Sequence, residues 1–113
     1  MKSMKGRKNS RAKGARYERE ISHILNDSGF PSRRGQQYCG ANGDPDVVST
    51  FPFHIEAKRV EKLNLYQAFT QAIEDSKGLK PPCVIHRKNN SENLFTCRLE
   101  DLLNLINNNK NDR

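Results

Sequence analysis

Three charged side chains stand in or beside two apolar segments within GDPDVVSTFPFHIEAKR, which runs from residue 43 to 59. Asp46 opens the segment DVVST, and Glu56 and Lys58 stand two residues apart in FHIEAKR. Acidic residues are depleted in strands and are rarely buried without a partner. Two carboxylates that meet repel each other unless a cation joins them, and hard oxygen ligands suit Mg²⁺. The pattern therefore fits either a metal site or two solvent-exposed strand ends.

The metal site requires that both segments form strands. Residues i and i+2 of a strand share one face, so His54, Glu56 and Lys58 lie together while Ile55 faces apolar packing. If the two strands pair as a hairpin, Asp46 converges with Glu56 at one end of the sheet. Lys58 then supplies a positive charge that can stabilise a phosphoryl transition state or orient an attacking water.

A third carboxylate lies on a helix predicted over KGARYEREISHILNDSGF, which Gly29 ends. Its apolar stripe has helical spacing and comprises Tyr17, Ile21, Ile24, Leu25 and Ser28. Glu18 borders this stripe, at roughly 100° from Tyr17 around the axis. It is either a glutamate whose head reaches solvent or a third acid of the site. With Asp46 and Glu56 on the sheet, the site interpretation is favoured.

The remaining elements are a second helix over NLYQAFTQAIEDSKG, strands over CVIHRK and LFTCRL, and a closing helix over LEDLLNLI. The order is helix, three strands, helix, two strands and helix. This order predicts an α/β protein with a single mixed β-sheet of about five strands flanked by helices. We expect one domain over residues 14–107, preceded by a basic disordered arm (1–13) and followed by a polar disordered tail (108–113).

The charge is concentrated at the N-terminus. The net charge is +7, and residues 1–13 contain six basic and no acidic residues, which leaves 14 basic and 13 acidic residues in the rest of the chain. A basic arm on a nearly neutral body indicates a nucleic-acid partner, with a solubilising tail as the alternative. A membrane-surface anchor is disfavoured, because the arm has no large apolar residues beyond its methionines. No apolar run is long enough to span a membrane. Three widely spaced cysteines suit a reducing cytoplasm.

A helix that carries Glu, then PD, then an apolar strand ending in ExK resembles the PD-(D/E)xK nuclease superfamily. The opening KGARYERE is similar to the first helix of archaeal Holliday junction resolvases. RRGQQYCG, HIEAKRVEKLNLYQAFTQA and VIHRKN resemble the small resolvase-like nucleases of bacteriophages. The resemblance covers roughly residues 13–106 and implies an endonuclease that uses Mg²⁺, with Mn²⁺ able to substitute, to hydrolyse DNA phosphodiesters.

The resemblance also implies roles for particular residues. Asp46 and Glu56 match the metal-binding acids, Lys58 the catalytic lysine and Glu18 the acid on the helix. The backbone carbonyl of Ala57 would be a further metal ligand. Gln71 matches a glutamine that related nucleases place near the site, and the roles of Asp44 and His54 stay open. The candidate DNA contacts are Lys13, Arg16, Arg33, Arg34, Gln36, Gln37, Tyr38, Arg59, Arg87 and Lys88.

The resemblance further implies a homodimer that cuts four-way (Holliday) junctions in phage recombination or replication, in the cytoplasm of a bacterial host. Two identical sites about a two-fold axis match the two strands to be cut. The apolar cluster Leu102, Leu103, Leu105 and Ile106 is either an interface or core. The alternatives are a nuclease of the same fold with a nicking, flap or restriction-type target, and a non-catalytic DNA-binding protein.

Overall fold

The secondary structure follows the predicted order of three helices and five strands. The computed structural model describes residues 2–36 and 44–111, with side chains over 11–36 and 44–110. The elements are α1 (Lys2–Asp27), β1 (Ser32–Arg34), β2 (Val47–Ser49), β3 (His54–Arg59), α2 (Leu65–Ser76), β4 (Pro82–Arg87), β5 (Leu94–Cys97) and α3 (Leu99–Asn111).

The five strands form one sheet in the order β1-β2-β3-β4-β5, so every strand lies beside its neighbour in sequence. β3 and β4 are parallel and the other pairs are antiparallel. The parallel pair needs a crossover connection, which α2 provides. The predicted α/β class with a mixed sheet is confirmed.

The two faces of the sheet carry different cores. On one face, which we call the α1 face, α1 packs on strand residues in a cluster of Tyr17, Ile21, Leu25, Val47, Phe53, Ile55 and Cys83. On the other, the α2 face, Ala68 and Ala72 of α2 pack against Val84.

Two details of the predicted helix stripes are wrong. Ile24, placed in the buried stripe of α1, is 44% exposed. In α2, helical spacing in the sequence predicts a buried stripe of Leu65, Phe69, Ala72 and Ile73. The buried residues are instead Ala68, Ala72 and Ser76, so the buried face is displaced around the axis. Small side chains at these positions allow the helix backbone to approach the sheet closely, while Leu65 and Phe69 pack at the margin of the contact.

The terminal helices are longer than expected. α1 begins at Lys2 and α3 continues to Asn111, so both include residues that the sequence assigned to a disordered arm and tail. The segment 2–13 is rich in Lys, Arg and other good helix formers and contains no proline, which permits this extension. The domain limits stay predictions. No helix in the described ranges is long and apolar enough to cross a membrane.

Candidate active site

The pairing of β2 with β3 positions Asp46 beside Glu56. Val47 and Ile55 are partners across the two strands, and both side chains are buried on the α1 face. Because side chains alternate along a strand, the adjacent Asp46 and Glu56 lie on the α2 face. Oδ2 of Asp46 accepts a hydrogen bond from the backbone N–H of Ala57 at 2.9 Å. This bond attaches the Asp46 carboxylate to β3.

The surroundings of Asp46 strongly raise its pKa. Desolvation first, and the charge of Glu56 second, raise the pKa of Asp46 to about 7. Glu18 also raises the Asp46 pKa, while the N–H of Ala57 and the charge of Lys58 lower it. A carboxylate so placed is poorly stabilised as an anion, and a positive charge between it and Glu56 would relieve the repulsion.

The donor set fits a hard divalent cation only in part. Asp46 and Glu56 offer carboxylate oxygens, the ligands that Mg²⁺ prefers. Over residues 2–36 and 44–111, however, no three His, Cys, Asp or Glu side chains form a group that could hold a metal ion. Mg²⁺ bound by few protein ligands usually keeps several waters, so two carboxylates with water or a carbonyl are a sufficient set.

Lys58 and His54 lie on the same face of β3 as Glu56. Lys58 is half-buried, and its charge lowers the pKa of Asp46. Nε2 of His54 lies 3.1 Å from Oε2 of Glu56, and both side chains are 12% exposed. The spacing of two residues in a strand predicted that His54 and Glu56 share one face of β3. It did not predict that the two side chains are in contact.

Glu18 approaches from α1, where it is held by an arginine. Nε of Arg34, at the end of β1, donates to Oε1 of Glu18 at 2.7 Å, and the Glu18 side chain is 15% exposed. The charge of Glu18 also raises the pKa of Asp46, although within the described residues Glu18 does not join Asp46 and Glu56 in one group that could hold a metal ion. Arg34 was assigned to DNA phosphates from sequence; 16 residues separate it from Glu18, and no local pattern indicated their contact.

Asp44, two residues before Asp46, contacts residues at and after the end of β1. Its Oδ2 accepts from the backbone N–H of Gln36 at 3.0 Å and lies 3.3 Å from Nη1 of Arg33. The Gln36 hydrogen bond and the Arg33 charge lower the pKa of Asp44. Gly35 donates its N–H to the Asp46 carbonyl at 2.8 Å. A Cβ at Gly35 would overlap the carbonyl oxygen of Pro45, so only glycine fits there without displacement.

Gln71 is exposed on α2 and donates to Oδ1 of Asp75 at 3.1 Å. At 100° per residue, Gln71 and Phe69 lie on opposite flanks of the buried Ala68–Ala72 stripe. The Phe69 ring lies 6.0 Å from the guanidinium of Arg98, which follows β5, so this flank faces β5. The Gln71 flank therefore faces the β3 side of the helix, and its role at the site stays a prediction.

Two of the candidate DNA contacts, Arg59 and Arg87, bind polar side chains of the protein itself. Arg87 binds Glu20 at 3.0 Å, and Arg59 donates to Oδ1 of Asn89 at 2.7 Å. Together with the exposed Lys88 they line an open cleft of about 1000 Å³. An arginine fork binds carboxylate and phosphate with the same geometry, so a nucleic-acid strand would have to displace these partners.

The other candidate contacts lie on α1 and after β1. Lys13 is half-buried and Arg16 exposed on α1, and Gln36 is exposed after β1. Gln37 and Tyr38, which the sequence assigned to DNA contacts, lie outside the described residues.

The fold has a known counterpart. A solved structure of Hjc from Archaeoglobus fulgidus, a Holliday junction resolvase from an archaeal hyperthermophile, matches with a TM-score of 0.55 and 22% sequence identity. The match covers 73% of this chain and 74% of that one. No curated protein sequence matches. The mixed sheet of this chain thus has the fold seen in that resolvase.

The sequence family is narrower. Residues 9–112 match the family described as "Phage putative PDDEXK endonuclease". This match spans nearly the whole chain, and the chain belongs to that family. The resemblance stated from the GDPD and EAK residues is confirmed at this level.

Proposed function

We propose that this protein is a divalent-metal-dependent DNA endonuclease that resolves four-way junctions. The observation that carries the proposal is the position of Asp46 beside Glu56, with Lys58 on the same strand face. A pure DNA-binding protein gains nothing from two adjoining acids that face a phosphate. The phage family supports a site of action in the cytoplasm of a bacterial host, where phage DNA is copied.

Asp46 and Glu56 would hold the Mg²⁺, or Mn²⁺ in its place, with the carbonyl of Ala57 as a further ligand. The ion, when bound, supplies Lewis-acid chemistry and acidifies a coordinated water. The Ala57 N–H fixes the Asp46 carboxylate at β3. Lys58 stabilises the charge that develops at the phosphate or steadies the attacking water.

Glu18 and Arg34 form a second part of the site. Their hydrogen bond of 2.7 Å holds the Arg34 guanidinium at Glu18, where we expect it to meet a phosphate oxygen of the bound strand. Glu18, freed by that exchange, would be available to a second ion. Arg34 would thus position the scissile strand as well as neutralise Glu18.

The proposal includes both a four-way junction as the substrate and a homodimer as the active form. The fold shared with a Holliday junction resolvase supports them, as does the symmetry of the task, because two sites about a two-fold axis match two strands of a junction. A second DNA-binding track in the same complex also increases affinity through effective concentration.

The test compares Mg²⁺-dependent cleavage of a four-way junction, a linear duplex, a flap and a single strand, with EDTA as a blank. We expect paired, symmetric nicks in the junction and little cleavage of the duplex. A preference for another substrate would reject junction resolution and keep the nuclease assignment.

Glu56→Gln provides the matched control, because it keeps the size of the side chain and removes its charge. We expect this variant to bind the junction at least as tightly as the wild type and to cut none of the four substrates. If purified Glu56→Gln cut DNA at the wild-type rate with Mg²⁺, the site assignment itself would be rejected.

A further inference from the structure

Helix α3 carries an apolar stripe that faces away from the protein. Leu99, Leu102, Leu103 and Ile106 lie within about 100° of the helix circumference at 100° per residue. They are 69%, 39%, 49% and 44% exposed. Such a stripe at i, i+3, i+4 and i+7 normally faces a core. Within the part of the chain that the structure describes, this stripe is open to solvent.

The opposite side of α3 faces the protein and is mostly polar. Asp101, Asn104 and Asn108 line a cleft between α3 and the C-terminal end of α2, together with Leu105. Asp101 lies 3.6 Å from Arg98. Leu105 packs against the core of the α1 face. The helix is therefore attached through one leucine and polar groups, while its four other large apolar residues point outward.

The stripe is self-complementary. The spacings in sequence between its successive residues are three, one and three, so the pattern of spacings is the same in both directions along the helix. If two α3 helices pair antiparallel about a two-fold axis, Leu99 meets Ile106 of the second copy, and Leu102 meets Leu103. Isologous contacts of a two-fold dimer require such a surface. The antiparallel arrangement also opposes the two helix dipoles and keeps Glu100 away from its equivalent.

We propose that the α3 stripe is the dimer interface, occupied by the same stripe of a second copy in antiparallel orientation. This inference rests on the homodimer of the proposed function and adds its surface and geometry. α3 lies beside the N-terminal ends of β3 and β4, where Phe53 and Pro82 line the same cleft. Neither Asp46 nor Glu56 lines this cleft, so we expect pairing to leave both sites open.

Sedimentation equilibrium of the full chain tests the interface through Leu103→Asp. We expect a wild-type dimer at micromolar concentration. The dissociation constant of the variant should rise by at least about 100-fold. Each copy loses a buried leucine contact, which raises the dissociation constant about tenfold, and each copy also gains a charge near the two-fold axis. Leu79→Asp is the matched control: Leu79 is 87% exposed outside the stripe, and its variant should dimerise like the wild type.

Circular dichroism melting checks that Leu103→Asp is folded, and Leu103→Ser replaces it if it is not. A monomeric wild type, or a Leu103 variant with an unchanged dissociation constant, would overturn the proposal. These measurements require no cleavage, so they stand whether or not the nuclease assignment does. In an active protein, Leu103→Asp should still nick a junction but lose paired incisions.

Cysteine cross-linking tests the orientation, in a background that carries Cys39→Ser. Under mild oxidation an equimolar mixture of Leu99→Cys and Ile106→Cys should form disulfide-linked dimers in higher yield than either variant alone. Higher yields from the single variants would indicate parallel helices and overturn the antiparallel interface.

Discussion

Replacing Asp46 by Asn should stabilise the metal-free protein even though it removes a residue of the candidate site. Asparagine keeps an oxygen that can accept the Ala57 N–H, so the tether to β3 is retained. The substitution removes only the charge, and this charge is unfavourable: desolvation and then Glu56 raise the pKa of Asp46 from 3.8 to about 7.

The magnitude follows from the linkage between pKa and stability. An acid whose pKa is raised by folding loses stability as the pH rises from the unfolded to the folded pKa, here from about 4 to 7, and the loss is constant above. A rise of roughly three in the pKa corresponds to about 4 kcal/mol in the free energy of unfolding. Asp46 is half-buried, and solvent screening reduces this value. We expect about 1–3 kcal/mol at pH 8, or roughly 4–15 °C in Tm.

The assay is thermal unfolding of both proteins in EDTA from pH 4 to pH 8. The gain should be present at pH 8 and vanish near pH 4, and added Mg²⁺ should stabilise only the wild type. Asp44→Asn is the matched control in the same GDPD motif. The Gln36 N–H and Arg33 lower the pKa of Asp44, so neutralising it should give no gain. An Asp46→Asn protein no more stable than wild type at pH 8, or a gain independent of pH, would refute the electrostatic explanation.

Three further expectations concern the site, its loop and the N-terminus. Lys58→Ala should slow cleavage by about 10²–10³-fold with metal affinity largely kept, and calorimetry showing lost metal binding would contradict its assigned role. Gly35→Ala should destabilise the protein by about 1–3 kcal/mol, because the new Cβ overlaps Pro45. Gly14→Ala, which has open space at its Cβ, should not destabilise it. Equal melting temperatures of the two variants would count against this packing. Deleting residues 1–13 should flatten the salt dependence of DNA binding, by up to about 5 log units per log unit of salt if all six charges meet phosphates; an unchanged slope would mean that they do not.

The candidate site was predictable where it depends on local pattern. Alternation along β3 places Glu56 and Lys58 on one face, and the short connection to β2 favours a hairpin that brings Asp46 beside them. The antiparallel pairing of Val47 with Ile55 confirms that register. The alternation of side chains along a strand and the pairing of two neighbouring strands were sufficient to predict the placement of Asp46, Glu56 and Lys58.

Contacts between distant elements were not predictable. The Arg34–Glu18 bond depends on how α1 packs across β1, which no periodicity encodes. The orientation of α3 shows the same limit, because an amphipathic stripe fits a core and an interface equally well. Whether the α3 stripe packs in the core depends on whether the sheet has space for its side chains. On the α1 face, aromatic residues and Leu105 already occupy the space beside the sheet.

The hydrogen bond from Ala57 to Asp46 also has a consequence for substitutions. In the sheet an amide of β3 normally finds a carbonyl on its neighbour, but here a side-chain oxygen takes that place. Any residue at position 46 without a short acceptor leaves that half-buried N–H unsatisfied, at a cost of about 1–3 kcal/mol. Alanine at this position would therefore combine a chemical defect with a structural one. Inactive variants intended for trapping a DNA complex should carry asparagine there, so that loss of cutting is not confused with a loosened strand.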